Sequence, residues 1–165
     1  MSMRNTFTLL GRAVRGALIA GLIATACSDA TEPPNGSWST SDTWAGQIVI
    51  TPNADSPHWP SDAVTIEGFA IKGDSLEFTV RFGGGCRDHA FVLLADAAWM
   101  ESYPVQVGVR LAHEANDDAC DALLSRVLRF DLTPLKAAYS SSYQATTGII
   151  RLNLRGASGS LTYTW

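Results

Sequence analysis

Cys86, His89, His113 and Cys120 are the side chains of this sequence whose types and spacing could bind a metal, move a proton or form a covalent cross-link. Gly83, Gly84 and Gly85 lead into Cys86, and Glu114, Asp117, Asp118 and Asp121 crowd the stretch around Cys120. Three chemistries use these groups. Two thiolates with two imidazoles make a site for Zn or Cu. Two histidines with a carboxylate, Asp88 or Glu114, could hold the same metals while the sulfurs are otherwise engaged. Two cysteines in an oxidising compartment form a disulfide. The spacings match no zinc-finger pattern, and "NDDACD" lacks the alternating oxygen ligands and central glycine of a calcium loop. The expectation is a Cys86–Cys120 disulfide. Beside it, His89 and His113 either bind a metal with Asp88 or Glu114, or hydrogen-bond loop backbone above a solvated acidic rim.

Strands must position these groups. In 75–82, Leu76, Phe78, Val80 and Phe82 alternate with polar residues, and in 104–113 Val105, Val107, Val109 and Leu111 do the same. Ile150, Leu152 and Leu154 repeat the pattern, as do Leu161, Tyr163 and Trp165. Period-two alternation marks half-buried strands. Runs at 47–51, 64–72, 89–95 and 125–132 bring the count to about eight. Gly73-Asp74 is a two-residue hairpin signal. A hairpin of 89–95 with 104–113 pairs residues whose numbers sum to about 200, which sets Cys86 near position 114 and brings His89 towards His113. One helix is expected after Thr133 as cap, with Pro134 in the first helical position. The fold class is all-β: an antiparallel β-sandwich of about eight strands with one short helix, or alternatively an eight-stranded β-barrel.

The N-terminus speaks to location. Arg4, Arg12 and Arg15 precede the apolar run "GALIAGLIATA", which ends at Cys27. Such a run suits a signal peptide and is too short to span a bilayer. Ala24-Thr25-Ala26-Cys27 resembles the lipobox of bacterial lipoproteins, with Ala24 where leucine is commonest. The resemblance implies removal of residues 1–26, lipidation of Cys27 and a lipid (palmitate-type) anchor in the membrane. Ser28 after the cysteine, in place of aspartate, implies the outer membrane. "ATA" is also an A-x-A cleavage site, which would release a soluble periplasmic or secreted protein. An odd cysteine in an exported chain needs a use, and lipidation of Cys27 supplies one. Residues 27–44, rich in Ser, Thr, Asp, Pro and Gly, read as a tether, and 45–165 as one domain.

Without the leader the chain keeps nine basic and 16 acidic residues, a net charge of −7. That balance, with no basic cluster, argues against nucleic acid as a partner. Nucleophile-elbow, zincin, P-loop and dinucleotide motifs are absent, so no catalytic residue is assigned. Two loops offer aromatic or imidazole groups for binding: 53–62 with His58 and Trp59, and 96–104 with Trp99 and Tyr103. The expected function is a binding or structural module of the cell envelope that engages an envelope protein or polysaccharide. The alternatives are a metal-binding periplasmic protein using His89 and His113, and an envelope hydrolase or an inhibitor of one.

Overall fold

The computed structural model describes Gly36, Ser37 and residues 43–165, with side chains from Ala45 onward. The expected leader, Cys27 and most of the expected tether lie outside the described residues. Among the described residues, nine strands and one helix follow in chain order: β1 Gly36–Ser37, β2 Thr43–Thr51, β3 Thr65–Lys72, β4 Ser75–Gly84, β5 Ala90–Asp96, β6 Val105–Glu114, β7 Ala122–Asp131, α1 Thr133–Tyr143, β8 Ile149–Leu154 and β9 Ser160–Thr164.

The strands form one sheet in the order β3-β4-β7-β2-β5-β6-β8-β9, with β1 added on β2. β2 joins its two halves. Residues 43–47 pair with β7, and residues 48–51 pair with β5. The end strands curl towards each other, so that a Cβ on Gly159, just before β9, would stand 3.5 Å from the Phe69 ring of β3. The result is a nearly closed, barrel-like sheet.

The all-β expectation with one short helix therefore holds, and the closure is the barrel-like one. Two separate antiparallel layers are not what forms. β2 runs parallel to both β5 and β7, and β6 runs parallel to β8. Alternation tells which side chains face inward but carries no information about which strand lies alongside, so it could not reveal these parallel pairs.

Inward parity is as the pattern implied. Leu76, Phe78, Val80 and Phe82 of β4, Val105, Val107, Val109 and Leu111 of β6, and Ile150, Leu152 and Leu154 of β8 are all buried. Gly73 takes φ +60° in the two-residue turn between β3 and β4, where a left-handed residue fits the twist of the strands. β5 is covered on both faces, which explains its unbroken apolar run. Its outward residues Val92 and Leu94 pack with Ala112, Ala54 and Trp59 beneath the 52–64 segment. That segment crosses the outside of the β5–β6 pair like a strap. Arg110 of β6 donates to the carbonyls of Ala54 and Pro60, both at 2.9 Å, and the Asp62 amide donates to the His113 carbonyl.

α1 closes one end of the barrel, with Leu132 and Leu135 buried in the core. Its start differs from the expected cap. The Thr133 amide and hydroxyl both donate to the Asp131 carboxylate, at 2.9 and 2.7 Å, so Asp131 supplies the acceptor expected of Thr133. An acidic acceptor there also suits the positive end of the helix dipole.

Candidate functional site

The barrel end opposite the 97–104 loop gathers the end of β4, the start of β5, the end of β6 and the start of β7. Cys86 and Cys120 are joined there as a disulfide, with Cα atoms 5.9 Å apart. Ala90 pairs with Glu114 and Phe91 with His113, so facing residue numbers in the β5–β6 hairpin sum to 204. The expected register was four lower. The corrected one puts Cys86 beside Asp118, and that shift decides the chemistry of the site.

Asp118 organises the end of the barrel. Its Oδ2 accepts the backbone amides of Gly85, Cys86 and Arg87 at 2.8, 2.9 and 2.9 Å, and its Oδ1 accepts the amide of Cys120 at 3.0 Å. Three successive N–H groups converging on one oxygen form an anion-binding nest. The carboxyl is held far below the usual aspartate range, by the Cys120 amide above all and by the Arg87 and Cys86 amides and His89, against the opposing effect of desolvation. Gly84 and Gly85 make the arrangement possible. Both have positive φ, and a Cβ on Gly84 would lie 2.4 Å from His89 Nε2 and 2.8 Å from Asp118 Oδ2. Only glycine fits a backbone bent that way and pressed that close.

Both histidines are buried, at 0% and 1% exposure. His89 Nδ1 lies 2.8 Å from His113 Nε2, and His89 Nε2 lies 3.2 Å from Asp118 Oδ2. At the far end His113 Nδ1 lies 3.1 Å from the Ala63 carbonyl of the strap. The two rings are nearly coplanar, 15° apart with centres at 5.1 Å, as an in-plane hydrogen bond requires. Phe91 stacks on His113 at 4.7 Å, and Phe82 packs against both imidazoles.

Counting hydrogens assigns the protons. The chain Ala63 carbonyl, His113, His89, Asp118 has three links and an acceptor at each end. Two neutral imidazoles bring one N–H each, which satisfies two links and leaves lone pairs opposed at the third. All three links form only when the pair holds one additional proton. Burial first, and the neighbouring His89 charge second, lower the pKa of His113. The arrangement that completes the chain is therefore neutral His113 donating from Nδ1, with His89 donating from both nitrogens to His113 and to the Asp118 carboxylate.

All four ring nitrogens are thus spent on protein partners, and in this state neither histidine presents a lone pair to a metal or a substrate. Asp88 is exposed and meets the site through its backbone carbonyl, which accepts from Asn116 Nδ2. Glu114 accepts the Asn116 amide. Neither is joined to the histidines by a hydrogen bond among the described residues; the carboxylate that reaches them is Asp118. The only cluster of potential ligand atoms found among the described residues is Cys86, Asp118 and Cys120, all within 4.8 Å of one another.

The proposed binding residues separate. Trp59 packs under the strap, His58 is exposed on it, and Trp99 lies against Tyr139 and Tyr143 of α1 with ring centres 6.3 and 6.5 Å away. Tyr103 is 93% exposed. Glu101 accepts from the Tyr143 hydroxyl at 2.9 Å, and a bridge from Met100 to Gln106 ties the loop to β6. Sequence reasoning passed over Arg110 and treated Asp118 as one acid of several. The available signal for Asp118 was its spacing from Cys120 in an Asx-type loop.

No protein-family model matches the chain, and no curated protein does. Solved structures to which it is similar include a NigD-like immunity protein from Bacteroides caccae, 16% identical with a TM-score of 0.48 over 71% of this chain and 57% of that one. A protein of unknown function, DUF1344, from Bacteroides vulgatus is 12% identical with a TM-score of 0.46, over 73% and 56%. A candidate lipoprotein from Bacteroides fragilis is 9% identical, also with a TM-score of 0.46, over 73% and 69%. The chain spans less than two thirds of the length of the first two.

Proposed function

We propose that this chain is an exported, lipid-anchored cell-envelope protein whose barrel serves as a binding or structural module. The Cys86–Cys120 disulfide carries the reading. It uses two of the three cysteines and leaves Cys27, at the end of the apolar run, as the one available for lipid. Disulfides persist in oxidising compartments, which agrees with export. The outer membrane is the favoured location, from Ser28 after the modified cysteine.

Tyr103 is the favoured contact residue. It stands in solvent on a loop whose neighbours are tied to α1 and β6, so an aromatic anchor is presented with little flexibility left to lose on binding. The partner class is an envelope protein or an envelope polysaccharide. The deciding experiment is intact mass of the mature protein from its native membrane, with thiol alkylation before and after reduction. Acyl mass on Cys27, with Cys86 and Cys120 alkylated only after reduction, supports the reading; a free Cys27 thiol ends the lipid anchor. For the binding role, Tyr103→Ala should lose a co-purifying partner or glycan while keeping the fold, and unchanged capture would remove Tyr103 from the contact.

A further inference from the structure

We infer that reduction of Cys86–Cys120 converts this end of the barrel into a binding site for one thiophilic divalent ion of the zinc class. The ligands are Cys86 Sγ, Cys120 Sγ and the Asp118 carboxylate, with a fourth position open to solvent. The inference does not depend on the lipid at Cys27.

The three ligand atoms already lie within 4.8 Å of one another, so little movement is needed to gather them round an ion. Two sulfurs and an oxygen with an open fourth position are a donor set that zinc accepts. Asp118 is suited to the role by the way its oxygens are used. Oδ2 is occupied by three amides and His89, whereas among the described hydrogen bonds Oδ1 accepts only the Cys120 amide. That leaves Oδ1 a lone pair on a carboxylate whose orientation is already fixed. His89 and His113 anchor it from behind through a relay that ends on the Ala63 carbonyl, the kind of supporting hydrogen bond that holds metal-binding carboxylates in place.

The conversion is balanced with a dithiol reductant. Its thiolate attacks the sulfur of Cys86, which is exposed, and the S–S bond breaks with Cys120 leaving as thiolate. The second thiol of the reductant then displaces Cys86 and closes its own disulfide. Two electrons pass from the dithiol to the cysteines, and the bound ion later displaces the thiol protons.

The test uses the full chain carrying Cys27→Ala, so that only these two thiols remain. Reduced and held without oxygen, it is titrated with Co²⁺ as a spectroscopic probe and then with Zn²⁺, while circular dichroism follows the fold. The expected result is one Co²⁺ per chain with thiolate-to-cobalt charge-transfer absorption, displaced by Zn²⁺ and absent from the oxidised chain. Cys86→Ser should remove that band, and Asp118→Asn should weaken Co²⁺ binding by about tenfold or more. If reduction alone loosens the fold, Zn²⁺ must restore it. Absence of the band in the reduced chain, failure of Zn²⁺ to restore a loosened fold, or a band equally strong in Cys86→Ser would each overturn the inference.

Discussion

Replacing both Cys86 and Cys120 by alanine should cost about 4 kcal/mol of stability, in a variant that still folds. The bond joins residues 34 apart in sequence. In the chain-entropy model, closing a loop of that length removes roughly 12 cal/mol/K from the unfolded ensemble, or about 4 kcal/mol at room temperature. The native arrangement need not collapse without the bond. Asp118 still binds the amides of Gly85, Cys86, Arg87 and Cys120, and Arg87 still donates to the Asn116 carbonyl at 2.6 Å. The same two segments stay held together in the folded state by hydrogen bonds, so the loss falls mainly on the unfolded side. Urea unfolding followed by circular dichroism should show a lower midpoint and a slightly steeper dependence on denaturant, because an uncross-linked chain exposes more surface. For a domain of this size the melting temperature should drop by roughly 10–15 °C. A loss below about 1 kcal/mol, with the slope unchanged, would refute the reasoning. It would mean that the 84–89 and 115–121 segments are no freer in the unfolded chain without the bond than with it.

Three further outcomes follow from the same geometry. Asp118 has a folded pKa well below its unfolded one, so its contribution is present above an unfolded value near about 4 and is lost as pH falls towards the folded value. Acid unfolding of Asp118→Asn should therefore show a shallower pH dependence below about pH 4 than the parent, and an unchanged slope would count against the nest. At neutral pH, nitrogen-15 spectra should find His113 as the neutral Nδ1–H tautomer, set by burial and by its bond to Ala63; an Nε2–H tautomer would reverse the direction of the whole relay. Gly148→Ala would place a methyl 2.4 Å from the Trp165 ring and 2.8 Å from Tyr139, and should destabilise the chain by about 1–3 kcal/mol in chemical denaturation.

Much of the molecule was legible in single residues. The inward faces of β4, β6 and β8 follow from alternation alone, since successive side chains on a strand point to opposite sides whatever lies next to it. The pairing of Cys86 with Cys120 was legible for another reason: one of the three cysteines ends an apolar leader-like run, and the other two flank a single hairpin. The site was less legible. His89 and His113 were expected close together, and they are, but the acids named for them were Asp88 and Glu114. The hairpin register lies four residues away from the expected one, and that offset exchanges those acids for Asp118. The strap was equally hidden. "NADSPHWPSD" reads as an exposed loop, yet Arg110 and the buried outward face of β5 hold it against the sheet.

The sequence by itself determined the all-β class, which residues face the core, where the turns fall and which sulfurs can meet. These depend on backbone geometry over a few residues, or on elimination among three cysteines. Only the tertiary structure decided that β2 pairs with both halves of the sheet, that the sheet curls into a barrel, and that one carboxylate binds four amides and the nearer member of a buried histidine pair. Each of those depends on contacts between segments far apart in sequence. No local pattern encodes such contacts, and a shift of a few residues in pairing changes which side chains meet.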